Sequence, residues 1–259
     1  MQTGLKGKVA LLTASSEGIA RAAAEGFAAE GARLAMCSRN ESKLRQATKE
    51  IESRYGVEIL AEPLDVRNHE GVQAFVRRTV ERFGGLDICL ANAGGPPAKN
   101  FLSIDMDEWR KAVDLTFLSV VNLAKTVIPY MQKNGGRFIA ITSTSVKSPI
   151  PDLVLSNAVR PAVVGLLKSL SLEFGKDRIT FNNVAPGYTA TDRLRELAGT
   201  RALAANVSVG EIEKRWSEDI PLRRLAESRE VADAIVWLAS DQASYVTGQT
   251  IVVDGGRTS

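Results

Sequence analysis

Val9-Ala-Leu-Leu-Thr13-Ala-Ser-Ser-Glu-Gly18-Ile-Ala20 is the stretch that decides how this chain reads. A short apolar run stops at small residues and a helical pattern starts at once, giving strand, tight turn, helix. In that arrangement the turn's N–H groups and the N-terminus of the helix point at one spot, and both favour a diphosphate. Thr13, Ser15, Ser16, Gly18 and Ile19 are therefore candidates for holding a nucleotide. Only Gly18 is glycine, whereas a dinucleotide fingerprint has glycine also where Ala14 and Ala20 stand. A methyl group there limits the turn's freedom and the approach of a phosphate.

Outward from this stretch the same alternation repeats. A helix from Ile19 to Glu30 leads to the strand Arg33 to Cys37, which ends at Ser38-Arg39. An acid at this place would hold the adenosine ribose hydroxyls. A hydroxyl and a guanidinium suit a 2′-phosphate instead, so NADP(H) is expected over NAD(H), with Glu17 in the turn arguing the other way. A surface helix from Asn40 to Tyr55, a strand from Glu58 to Leu64 ending in Asp65-Val66, and an amphipathic helix carrying Val72 to Phe83 follow. The strand Leu86 to Ala91 then runs into Asn92-Ala93-Gly94-Gly95. Strands alternating with helices at this spacing give right-handed crossovers and a parallel sheet covered on both faces. The expected fold class is α/β, a doubly wound Rossmann-type sheet in a single domain.

A long helix from Met106 to Gln132 precedes the strand from Arg137, whose end is crowded with Thr142, Ser143, Thr144 and Ser145. Such sheets bind ligands beyond the carboxyl ends of their strands, so these hydroxyls are placed to meet a substrate. A second long helix, Leu155 to Gly175, is followed by the strand Ile179 to Ala185 and by Pro186-Gly187-Tyr188-Thr189. The polar, Arg-rich composition up to Arg224 reads as a mobile helical flap at about 189–225; a helix from Ser228 to Ala239 and a last strand before Asp254 close the chain.

With 259 residues, 44% of them hydrophobic, the chain is long enough for one large core. The net charge of +3 and the lack of a basic block with interleaved aromatics argue against nucleic acid as a partner. The start is polar and no later segment reads as a membrane span, so a soluble, cytoplasmic protein with no membrane partner is expected. Cys37 and Cys89 lie in apolar strands and read as reduced core thiols. His69, the only histidine, stands beside Asn68 at a helix start and reads as solvated or capping, so neither a metal site nor histidine catalysis is expected. The second long helix carries Val159, Ala162, Val163, Leu166, Leu167 and Leu170 around much of its circumference. One sheet face does not cover both long helices, so a homo-oligomer that pairs them across a two-fold axis is expected, with Leu167 in its seam.

Three runs carry a resemblance that spans essentially the whole chain. Thr13-Ala-Ser-Ser-Glu-Gly-Ile-Ala20 is similar to the TGxxxGIG of the short-chain dehydrogenase/reductase family, Ala91-Asn-Ala-Gly94 to its NNAG, and Pro186-Gly187 with Thr191 to its PG-x-x-x-T. The tail Val246-Thr-Gly-Gln and Val253-Asp-Gly-Gly256 also resembles that family. The resemblance implies one NAD(P)(H) per subunit, with Asp65 near the adenine, Asn92 and Gly94 behind the cofactor, and Thr191 near the carboxamide or phosphates. Val66, Ala93, Pro186, Gly187 and Thr189 join them as implied cofactor contacts. It also implies the long helices as a dimer interface, with the tail completing a tetramer.

The active site departs from the family's pattern, in which a Ser is followed thirteen residues later by Tyr and four later again by Lys, with an Asn on the preceding long helix. The matching positions here hold Ser143, Ser156, Arg160 and Thr116, so only the serine is retained. A phenol with a reference pKa of about 10 can be drawn toward neutrality by a neighbouring ammonium, whereas an aliphatic hydroxyl is a far weaker acid. Ser156→Ala is therefore expected to cost less activity than Ser143→Ala. Arg160 can grip ribose hydroxyls but, staying protonated, relays protons poorly. The proton donor is open between Tyr188 and a water bridging Ser143 and Ser156, and the second reading of Tyr188 is an aromatic packed under the flap. The expected function is an oxidoreductase acting on a small carbonyl compound or 3-oxoacyl thioester, or on the matching alcohol. The alternative is a nucleotide-binding homologue with little hydride transfer, acting as a binding or regulatory subunit.

Overall fold

The computed structural model describes residues 3–258. Its centre is a seven-stranded parallel sheet in the order β3-β2-β1-β4-β5-β6-β7. The strands are β1 Val9–Leu12, β2 Arg33–Ser38, β3 Ile59–Pro63, β4 Ile88–Ala91, β5 Gly136–Ile141, β6 Ile179–Pro186 and β7 Thr250–Val253. Chain order reverses direction between β1 and β4, and at that switch point the loops leaving the two strands diverge and open a crevice. Helices α1 Gly18–Ala29, α2 Glu41–Tyr55 and α9 Ser228–Ala239 cover one face; α3 His69–Phe83, α4 Met106–Val113, α5 Ser119–Met131 and α6 Val154–Phe174 cover the other. The central strands are buried on both sides, as β1 and β4 show with four buried apolar residues in a row, whereas the edge strands β3 and β7 are partly exposed. Phe27, Met36 and Ile235 fill one layer, and Phe75, Phe138 and Phe181 fill the other, each fully buried ring contributing about 1.5–3 kcal/mol.

The single long helix expected from Met106 to Gln132 is interrupted by a π turn at Asp114–Leu118. The run Met106–Met131 is also long enough to cross a membrane, and an 18-residue window within it, of mean hydropathy 1.4, is apolar enough, which corrects the expectation that no such segment exists. Here it is a core helix: Leu123, Ala124, Val127, Ile128 and Met131 are buried in the layer against β4 and β5.

A second correction concerns Leu167. It is 2% exposed and sits in the chain's own core with Phe181 and Val163, so it does not face outward as a seam residue would. The outward face of α6 carries Ala162, Gly165 and Leu172 instead, the last 88% exposed. A helix apolar all round gives periodicity no means of choosing between those faces. Both cysteines are buried and free, and burial pushes the Cys37 thiol up to about 12. His69 opens α3, but the cap is Asn68, whose side chain accepts from the Gly71 N–H; His69 Nε2 lies 3.7 Å from an oxygen of Asp114.

The polar stretch after Thr189 forms α7 Asp192–Ala205 and α8 Val209–Glu218, joined over a small core of Tyr188, Ala198, Ile212 and Trp216. Thr189 pairs with Ala226, which closes the base of this excursion.

Candidate active site

A cavity of about 460 Å³ opens at the carboxyl ends of the strands, between the β1 turn, the Asn92–Pro96 loop, β5, α6 and α7. Its cofactor end is built by the first turn. Ala14 adopts a left-handed φ of 45° and Gly18 one of 60°, curling the backbone so that α1 begins at the cavity. Helices α2, α3, α4, α7 and α8 have their first N–H groups capped by the side chains of Asn40, Asn68, Asp105, Thr191 and Ser208. At α1 the cap residue, Glu17, makes no such bond. The leading N–H groups of α1 thus remain for a ligand, and with the helix dipole they suit a diphosphate. A Cβ on Gly18 would come 3.5 Å from Thr191 Cγ2, so the N-terminus of α7 flanks the same spot. Gly187 is needed for a different reason, since a Cβ there would lie 2.8 Å from Asp254 Cα.

Ser16 and Ser38 share a hydrogen bond of 2.8 Å, tying the turn to the end of β2. Beside them Arg39 is exposed on the cavity wall, and among the described residues its guanidinium has neither a hydrogen bond nor an ion pair. Glu17, which argued against a phosphate, is matched by Lys43 Nζ at 2.5 Å, and that bond raises the Lys43 pKa. The residues present therefore fit a dinucleotide, and the adenosine end has a free cation for a further phosphate.

Of the implied cofactor contacts, Ser16, Gly18, Ile19, Ser38, Arg39 and Val66 line the cavity, as do Asn92, Ala93, Gly94, Pro186, Gly187, Thr189 and Thr191. Three candidates do not. Thr13 instead exchanges hydrogen bonds with the backbone of Asn92, which joins the turns after β1 and β4, and Ser15 donates to the carbonyl of Leu12 within its own turn. Asp65 is taken by Arg67, which bonds both its oxygens and lowers its pKa, while its neighbours Leu64 and Val66 line the wall. Asn92 donates its side-chain amide to the carbonyl of Ala14, fixing the turn from β4.

At the other end stand Ser143, after β5, and Ser156 and Arg160, one turn apart on α6. The Ser145 N–H donates to Ser143 Oγ at 3.1 Å. Arg160 Nε donates to Ser156 Oγ at 3.0 Å, and its Nη1 donates to the carbonyl of Thr142 at 3.0 Å. Burial, and next the nearby Arg193, push the Arg160 pKa down to about 10, which leaves it a cation at neutral pH. Thr116 does not belong to this set: it is 4% exposed, its hydroxyl has no hydrogen-bond partner, and Leu115 reaches the cavity in its place. The π turn that holds both residues rotates the helix face there. Tyr188 lines the cavity, yet its ring stacks on Trp216 at 4.8 Å and carries Arg257 at 4.6 Å. Those contacts fill the packing role of the two open to it.

Sequence reasoning missed Arg193, on α7, whose Nη2 donates to the carbonyl of Pro96 at 2.8 Å across the cavity mouth. The only signal for it was its place two residues after Thr191.

The family model described as enoyl-(acyl carrier protein) reductase matches residues 13–258. The chain belongs to the short-chain dehydrogenase/reductase family. Within this family it is 33% identical to the short chain dehydrogenase/reductase astE of Aspergillus oryzae, over 97% of this chain and 95% of that one. It is 30% identical to the 3-oxoacyl-[acyl-carrier-protein] reductase FabG of Chlamydia muridarum over 99% of both. The L-sorbose reductase of Gluconobacter frateurii, solved with NADPH and L-sorbose, superposes with a TM-score of 0.95 at 31% identity, covering 100% of this chain and 99% of that one.

Proposed function

We propose that this chain is an NADP(H)-dependent reductase of a small carbonyl compound, in which Ser143 and Ser156 together polarise the carbonyl oxygen. One observation carries the reading. Each serine oxygen already accepts a hydrogen bond from a protein N–H, and neither hydroxyl donates to a protein acceptor among the described residues. Each single O–H is thereby left to donate, and both side chains line the same cavity. Two donors aimed at one oxygen stabilise the charge that develops on it as the carbonyl is reduced.

A bound nicotinamide would supply the hydride. The uncapped start of α1 and Thr191 would hold the diphosphate, and the hydroxyls of Ser16 and Ser38 with Arg39 would hold the 2′-phosphate. Arg160 spends Nε and Nη1 on the protein, so its main part is to orient Ser156, with Nη2 left for a ligand. The last proton comes from water, since neither serine is acidic enough to give its own up without immediate replacement. Support for NADP(H) over NAD(H) is the unpaired Arg39, together with a structural neighbour solved with NADPH. Leu172 on α6 and Tyr245 are large apolar side chains left almost fully exposed, which supports self-association.

The test is NADPH titration by fluorescence, followed by NADPH consumption over ketones, aldehydes and 3-oxoacyl thioesters. Turnover on one class is expected. Tight NADPH binding with no turnover on any of them would overturn the reading in favour of a binding protein.

A further inference from the structure

The substrate end of the cavity is unbalanced in charge. Arg160 lies at its floor and, among the described residues, meets no carboxylate. Arg193 enters from the mouth, and the two guanidinium groups converge beside Gly95. A Cβ on that glycine would lie 3.5 Å from Nε and Nη2 of Arg193 and 3.7 Å from Nη2 of Arg160. Neither Arg160 Nη2 nor Arg193 Nε has a hydrogen-bond partner among the described residues. The acids on the cavity wall are engaged elsewhere: Glu17 with Lys43, and Asp192 with Lys43 and Arg195. Glu196 meets Arg193 only through Nη1, at 3.4 Å and in a solvent-exposed pair. Two like charges facing one space, with free donors and no resident anion, are a site that gains by taking one.

We propose that Arg193, with Arg160 Nη2, binds a carboxylate of the substrate, so that the substrate is a small oxo acid with its carbonyl oxygen at Ser143 and Ser156. This rests on the reductase reading and gives it a substrate class. The diphosphate is the competing anion, but its place is at the uncapped start of α1 and at Thr191. Ile150, Leu153 and Leu197 line the remaining wall and suit a short aliphatic chain between or beyond the two polar groups.

The test uses the protein loaded with NADP+, on which a ketone binds without reacting. A 2-, a 3- and a 4-oxo acid and their methyl esters are titrated calorimetrically, and the same pairs are then assayed for turnover with NADPH. At least one acid is expected to bind about tenfold or more tightly than its ester, as a charge-assisted contact requires. Arg193→Gln should erase that ratio, and Arg193→Lys should keep most of it. Esters binding as well as every acid, or an acid-to-ester ratio unchanged in Arg193→Gln, would overturn the proposal. So would a variant that weakens NADP+ alone and leaves the ratio intact, since the arginine would then serve the cofactor. An acid preference without turnover would leave the anion site standing and sink the reductase reading; turnover on esters without acid preference would do the reverse.

Discussion

Removing Ser156 tests the catalytic reading most directly. Deleting one preorganised donor to a developing oxyanion costs about 10²–10³ in kcat, or about 2.7–4 kcal/mol. Ser143→Ala and Ser156→Ala should therefore each lose about a hundredfold or more in kcat/KM, read from NADPH absorbance with the best carbonyl substrate. The two differ in what they leave behind. Ser143→Ala frees one neutral backbone N–H, that of Ser145. Ser156→Ala strips the acceptor from Arg160 Nε, a charged donor deep in the site, and should cost about 1–3 kcal/mol of stability. For a chain of this length that is a drop in Tm of about 2–4 °C per kcal/mol. Two donors acting on one oxygen are coupled, so the double variant should lose less than the product of the single losses. Ser156→Thr, which keeps the hydroxyl, should retain more activity than Ser156→Ala. Kinetics of Ser156→Ala within about twofold of the wild type, beside a disabled Ser143→Ala, would refute the two-donor site and restore the ranking that acidity alone predicts.

Three further outcomes follow from the geometry. Ala14→Gly relieves a left-handed alanine and should stabilise the protein by about 1 kcal/mol, visible as a higher Tm; an unchanged or lower Tm would show that the turn is unstrained. Ser38→Asp sets a carboxylate against the 2′-phosphate site beside Arg39, so the ratio of NADPH to NADH affinity should fall by about tenfold or more, measured by fluorescence titration. Leu172→Glu places a charge in the exposed patch of α6 and should shift light-scattering mass toward smaller species without lowering the monomer's helical content, whereas Leu167→Glu should unfold the chain outright.

The fold was legible because the strands end at residues that force a turn and most of the helices between them have one apolar stripe, a combination that a parallel α/β sheet covered on both faces accommodates. Where the stripe widens to the whole circumference, as on α6, the pattern has no direction, and Leu167 faces the core rather than the expected seam. The π turn at Asp114–Leu118 left no trace either, since one extra residue in a helix hardly disturbs its composition, yet it decides that Leu115 and not Thr116 meets the cavity. Asp65 stands between two residues of the cavity wall, Leu64 and Val66, with its carboxylate turned to Arg67 two residues on, a local pairing that spacing from the glycines does not reveal. Arg193 was hidden most thoroughly: its partner Pro96 is 97 residues away, and only the folding of α7 over the cleft brings them together.

The changes at 156 and 160 make sense as one substitution. Residues four apart lie on one face of a helix, so whatever stands at 160 must meet whatever stands at 156. A lysine ends in a compact point charge, whereas an arginine spreads its donors sideways along a plane. With only a short hydroxyl at 156, a side chain that bonds it and still reaches the strand end must donate in two directions. Arg160 does this, with Nε on Ser156 and Nη1 on the carbonyl of Thr142. The pair thus keeps an oriented hydroxyl facing the cavity and gives up its acidity. A site so built lowers the barrier by holding charge on the carbonyl oxygen rather than by delivering a proton to it. That favours carbonyls whose partial charge is already high, and it leaves Arg160 a cation throughout, free to help hold an anion with Nη2.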